Sequence, residues 1–143
     1  MDALQGKTVA IVGLGLMGGS LALALRPHGV RLVAVEPDEA TRRLALEQAV
    51  VDRATDVLAD GLAGADLVVL AAPVRAILNL LAALPGACPA GCTVLDLGST
   101  KSAVVAAMDR LPPSFAAVGG HPMCGKETAG FAAADQNLYH DQT

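Results

Sequence analysis

The residue of this chain best placed to do chemistry is a histidine in the run Gly119-Gly120-His121-Pro122-Met123-Cys124-Gly125-Lys126-Glu127. Two glycines before it let the backbone approach a neighbour closely, and Pro122 stiffens the loop directly after it. A histidine held this way at a ligand-binding edge suits the work of a general base near neutral pH. His28 and His140 have no such setting and read as structural. Cys124 lies in the same run, but nothing marks it as activated, and it reads as a free thiol. A second run is Asp96-Leu97-Gly98-Ser99-Thr100-Lys101. Ser99 or Thr100 reads as the N-cap of a following helix; the Ser99 hydroxyl could also point into a cleft. Lys101 is a cation near a helix N-terminus, where the dipole disfavours it, so its position asks for a partner such as an anionic ligand.

A third run could hold a nucleotide. Gly13, Gly15 and Gly18 form G-x-G-x-x-G between an apolar β-branched run and a small, leucine-rich one. In that context the first glycine permits a tight turn, the second lets the backbone approach a pyrophosphate, and the third lets helix and strand pack closely. The amides of Leu16 and Met17 would then face the phosphates, aided by the helix dipole. Glu36 follows about 20 residues on, at the end of a second apolar run, where a carboxylate accepts hydrogen bonds from ribose hydroxyls. A carboxylate there repels a 2′-phosphate, which favours NAD over NADP, although Arg42 and Arg43 are near enough in sequence to accommodate one. Ala71, Ala72 and Pro73 would line the adenosine–nicotinamide groove with small surfaces; Pro73 alone also reads as a plain strand terminator.

These runs need elements to position them. Strands are expected at Thr8 to Val12, Arg31 to Val35, Leu67 to Ala71, Thr93 to Leu97 and Phe115 to Val118. Helices are expected from Met17 to Leu25, from an Asp38 cap to about Glu47, from Val74 to a break at Pro85-Gly86, and from the Ser99/Thr100 cap to about Arg110. Strand and helix alternate, which implies parallel pairing and an α/β, Rossmann-type doubly wound sheet. All three chemical runs then fall at the carboxyl ends of strands, where ligands bind in such sheets.

Composition agrees. With 143 residues the chain has the size of one domain, residues 1–143. Hydrophobic residues make up 53% and aromatics 2%, so the core must be built from Ala, Leu and Val, as suits a sheet covered on both faces. The basic residues are scattered, which argues against nucleic acid. The longest apolar stretch, Leu67 to Val74, is too short to span a bilayer. The N-terminus lacks the pattern of a signal peptide, and three unpaired-looking cysteines fit a reducing cytoplasm. The polar ending Gln136 to Thr143 reads as a cut in a larger protein, before the last strand of the domain.

Four segments together resemble the prephenate/arogenate dehydrogenase family: Gly13 to Ala22, Asp66 to Val74, Asp96 to Val104 and Gly119 to Gly130. The first two are shared by many dehydrogenases; the last two are far more specific. The resemblance implies an NAD-dependent oxidative decarboxylation of prephenate or arogenate in tyrosine biosynthesis. It implies that His121 takes the ring-hydroxyl proton, that Ser99 orients His121 and the substrate, and that Glu127 tunes or gates the pocket. It also implies a further helical domain, here absent, that forms a homodimer and supplies an arginine for the substrate carboxylate. Lys126 and Thr100 depart from the family, which more often has a small hydroxyl residue and a valine there. Two rivals remain: a β-hydroxyacid dehydrogenase or pyrroline-carboxylate reductase type, which lacks the histidine run, and a non-catalytic NAD(H)-sensing module, which does not need His121 or Ser99.

Overall fold

A computed structural model describes residues 2–142. Its centre is a sheet of six strands: β1 (Thr8–Val12), β2 (Arg31–Val35), β3 (Arg53–Thr55), β4 (Leu67–Leu70), β5 (Thr93–Asp96) and β6 (Ala116–Gly119). All five pairings are parallel, in the order β3-β2-β1-β4-β5-β6. This is the strand order of a Rossmann-type doubly wound fold, with its topological switch point between β1 and β4. The connections are α1 (Leu16–Leu25), α2 (Glu39–Glu47), α3 (Leu58–Leu62), α4 (Val74–Ala87) and α5 (Ser102–Met108).

The strands read as nearly unbroken aliphatic runs because both faces are covered. Val9 and Ile11 point to one face with Ala22, Leu25 and Ala45 of α1 and α2. Ala10 and Val12 point to the other, with Ile77, Leu81 and Leu84 of α4 and Val104 of α5. The period-two alternation of a strand serves both layers at once.

The helix starts and stops follow local chemistry. Asp38 caps α2, accepting the Thr41 amide at 2.9 Å. α4 runs through Pro85 to Ala87 rather than breaking there. Pro85 lies in the last turn, where one missing N–H costs little of the ladder, and the Cys88 amide still closes on Leu84. Two elements carry no clear sequence signal. β3 is three residues long, and α3 contains Gly61, a helix-weakening residue. That glycine is required: a β-carbon on it would sit 2.1 Å from Val35 Cγ2.

The chain beyond β6 folds back onto α1. Phe131 is buried against Gly19, where a β-carbon would lie 2.8 Å from the ring. The Asp135 amide donates to the fully buried Ser20 hydroxyl at 2.9 Å. The Tyr139 hydroxyl donates to the Met17 carbonyl at 2.7 Å. Ser20→Ala leaves the Asp135 amide without its acceptor and should cost about 1–2 kcal/mol. Hydrogen exchange should then rise across residues 131–139 and stay unchanged in β1 and β4; uniform exchange change would show that this contact does not hold the segment.

Candidate functional site

The glycine turn links β1 to α1 and is held from three sides. The Gly13 amide donates to the Val35 carbonyl at 2.8 Å. Gly13 has φ +101°, and a β-carbon on it would lie 2.3 Å from the Ala71 carbonyl oxygen. A β-carbon on Gly18 would lie 1.9 Å from the Gly13 carbonyl oxygen and 3.1 Å from Ala71 Cβ. These two glycines are fixed by the protein's own packing. Gly15 is different. Its φ is −83°, open to any residue, and a β-carbon on it would meet nothing within 4 Å. The space it keeps clear is a cradle at the N-terminus of α1, where the amides of Leu16, Met17 and Gly18 have no acceptor within the helix.

Glu36 is aimed at the same turn. One carboxylate oxygen accepts the Leu14 amide at 2.8 Å, and the other accepts the Asp38 amide at 3.0 Å. Each oxygen has a further lone pair for a hydroxyl partner. Arg42 lies beside it and donates from Nη1 to the carbonyls of Glu36 and Pro37, at 2.7 and 2.8 Å. Arg43 is exposed.

Two clefts run along the carboxyl edge from this turn. The larger, of about 560 Å³, is lined by Gly13, Gly15, Glu36, Asp56, Ala72 and Pro73 among others. The smaller, of about 330 Å³, is lined by Gly15, Leu16, Met17 and Pro73 together with Leu97, Lys126 and Gly130. Gly15, Ala71, Ala72 and Pro73 belong to both, so the two form one groove across the switch point. The cofactor-binding residues expected from sequence thus converge on this groove, apart from Gly18, which packs beneath it, and Ser99, which lines neither cleft.

The second half of the site is organised by Asp96, at the end of β5 and fully buried. Its Oδ1 accepts the Gly98 amide at 2.8 Å and pairs with the Lys101 ammonium at 2.5 Å. Its backbone carbonyl accepts the Gly120 amide at 3.0 Å. One residue therefore ties down both loops, the one that carries Ser99 and the one that carries His121. The glycines of these loops make room for it: β-carbons on Gly98 and Gly120 would approach its side chain and carbonyl to 3.0 and 2.9 Å.

This arrangement corrects two sequence expectations. Neither Ser99 nor Thr100 caps α5; Lys101 occupies the N-cap position, without a side-chain cap bond, and the helix ends at Met108. The pull of Asp96 on Gly98 and Lys101 delays the helix start. Lys101 has an anionic partner, but it is the Asp96 carboxylate, not a ligand. Ser99, His121 and Glu127 are exposed on loops at the carboxyl edge, and among the described residues no hydrogen bond joins them to one another. Cys124 is a free thiol, and burial raises its pKa, which argues against an activated nucleophile. Asp96 is the functional residue that sequence reading passed over; its signal was an acid ending an apolar strand with a lysine five residues on.

A family model described as prephenate dehydrogenase, nucleotide-binding domain, matches residues 21–143. The chain belongs to that family. The prephenate dehydrogenase of Bacillus subtilis (strain 168) is 36% identical over 138 residues, which are 94% of this chain and 37% of that protein. The crystal structure of Synechocystis arogenate dehydrogenase matches with a TM-score of 0.86 at 34% identity, covering 94% of this chain and 48% of that one. The prephenate dehydrogenase from A. aeolicus, solved in complex with hydroxyphenyl propionate and NAD+, matches with a TM-score of 0.86 at 31% identity, covering 98% of this chain and 50% of that one. The chain spans half or less of the length of each. Membership sets aside the β-hydroxyacid dehydrogenase type. The family match begins at residue 21, so the reading of the glycine turn stands on its own geometry.

Two substitution pairs test this architecture. Gly18→Ala should destabilise the fold by about 3 kcal/mol through a backbone collision. Gly15→Ala should stay within about 1 kcal/mol of the parent in denaturant melts and lose affinity for a dinucleotide; equal stability losses in the two variants would refute the assignment. Lys101→Met strands a buried carboxylate and should cost about 3 kcal/mol. Asp96→Asn leaves a lysine that is 30% exposed and free to reach water, and should cost clearly less.

Proposed function

We propose that this chain is the NAD-binding domain of a dehydrogenase that oxidatively decarboxylates prephenate or arogenate in tyrosine biosynthesis. The observation that carries the reading is the groove itself. It has an open glycine cradle at a helix N-terminus at one point and a backbone-anchored carboxylate, Glu36, further along. A pyrophosphate fits the first and a ribose diol the second. Glu36 also makes NAD the better fit than NADP, because its carboxylate repels a 2′-phosphate. The A. aeolicus relative solved with NAD+ supports the same choice.

Bound NAD+ supplies the hydride acceptor. The residues of this chain do the rest that a cofactor cannot. His121 takes the proton from the hydroxyl on the ring carbon that loses hydride. Ser99, on the adjoining loop, orients His121 and that hydroxyl. Glu127 tunes or gates the substrate side. Carbon dioxide leaves as the ring becomes aromatic, which supplies the driving force, so the protein mainly provides a proton acceptor and geometry. A helical domain following this one would complete the substrate pocket and form a homodimer, and a cytoplasmic setting belongs to the same reading.

The test is formation of reduced nicotinamide, followed by absorbance, with prephenate and with arogenate as substrates. His121→Ala should lower kcat by about 10²–10⁴-fold while leaving the Kd for NAD+ within about twofold. Turnover unaffected by the substitution would reject His121 as the base. Cofactor binding with no turnover in any extended form of the protein would favour a sensing module instead.

A further inference from the structure

The groove is negatively lined where it must receive a negative ligand. Glu36 and Asp56 are both in its larger cleft, and a dinucleotide brings two phosphate charges to the turn beside them. The α1 amides and helix dipole offer only partial positive charge. Among the described residues lining the two clefts there is one cation, Lys126. It lines the smaller cleft together with Gly15, Leu16 and Met17, the residues of the phosphate cradle.

The position of the Lys126 ammonium is set by the segment that folds back on α1. It lies 3.1 Å from Asp135 Oδ2 and 3.2 Å from the Ala133 carbonyl. The Asp135 amide is in turn bonded to Ser20, one turn beyond Leu16 on α1. The Asn137 amide and the Lys126 ammonium hold the Asp135 carboxyl below its usual pKa, so it stays ionised as a tether. The Lys126 side chain remains 35% exposed.

We propose that Lys126 is a pyrophosphate-binding residue, supplying from the far wall of the groove the full positive charge that the α1 amides lack. The inference rests on the dinucleotide reading above. A lysine fits the task as a mobile point charge with three donors, needing no fixed fork geometry. Asp135 keeps it near the cradle without consuming all three.

The probes are NAD+, ADP-ribose and adenosine, titrated calorimetrically into the full chain at low and high salt. Lys126→Met should weaken NAD+ and ADP-ribose alike, by about fivefold to tenfold at low salt. The difference should shrink at high salt as the charge is screened. Adenosine should bind as before, and Lys126→Arg should restore most of the affinity. Asp135→Asn keeps an oxygen to hold the ammonium and removes only the competing charge, so it should keep ADP-ribose affinity within about twofold or improve it. Equal losses in Lys126→Met and Asp135→Asn would overturn the proposal, since the pair would then act only by holding the loop. If the parent chain binds NAD+ and Lys126→Met binds it equally well, the inference alone fails. If the parent chain binds no dinucleotide at all, the underlying reading fails with it.

Discussion

The fold depends on one close approach of backbone to backbone. Where β1 ends, α1 begins and β4 finishes, the carbonyls of Gly13 and Ala71 occupy the space that β-carbons on Gly18 and Gly13 would need. This contact brings α1 down onto the sheet at its switch point. It aims the first turn of the helix into the groove, and it lets the Val35 carbonyl and the Glu36 carboxylate reach the turn from β2. Two of the three glycines serve packing, and the third keeps open space beside it. The order of the three glycines in the motif already assigns them different roles, and the coordinates supply the distances.

Away from that contact the site is built by sharing. Asp96 serves the Ser99 loop with its side chain and the His121 loop with its carbonyl. A fully buried carboxylate is costly unless it is paired and hydrogen-bonded. Here Lys101 and Gly98 both attend Oδ1, while Oδ2 has no hydrogen-bond partner among the described residues. Two loops of different strands are therefore registered against each other by one group, before any substrate is present. This support holds the side chains of both loops in defined positions.

Most of the architecture was legible because its signals are local. The aliphatic strands, the Asp38 cap and the glycine turn each announce themselves within a few residues. β3 and α3 were not, because one is three residues long and the other contains a glycine demanded by Val35, a residue more than twenty positions earlier. The N-cap of α5 was misread for a similar reason. Serine and threonine are good caps in isolation, but the Asp96 interaction fixes Gly98 and Lys101 first and moves the helix start to Ser102. The position of Lys101 calls for an anion; that the anion is five residues behind it is visible only once the loop closes. Continuation of α4 through Pro85 shows a breaker overruled by its place in the last turn.

The clasp of the C-terminal segment on α1 has a thermodynamic meaning. Phe131, Asp135 and Tyr139 hold the helix whose other end faces the groove, and the same stretch of chain begins at the loop that bears the histidine. Two ligands that each tighten one end of such a clasp must help each other equally, since coupling between binding free energies is reciprocal. Order would then be conferred on the His121 loop by a ligand at the glycine turn, and on the glycine turn by whatever settles against that loop. A short piece of irregular chain, with no strand and only one turn of 3₁₀ helix, would make the two halves of the edge into a single cooperative unit.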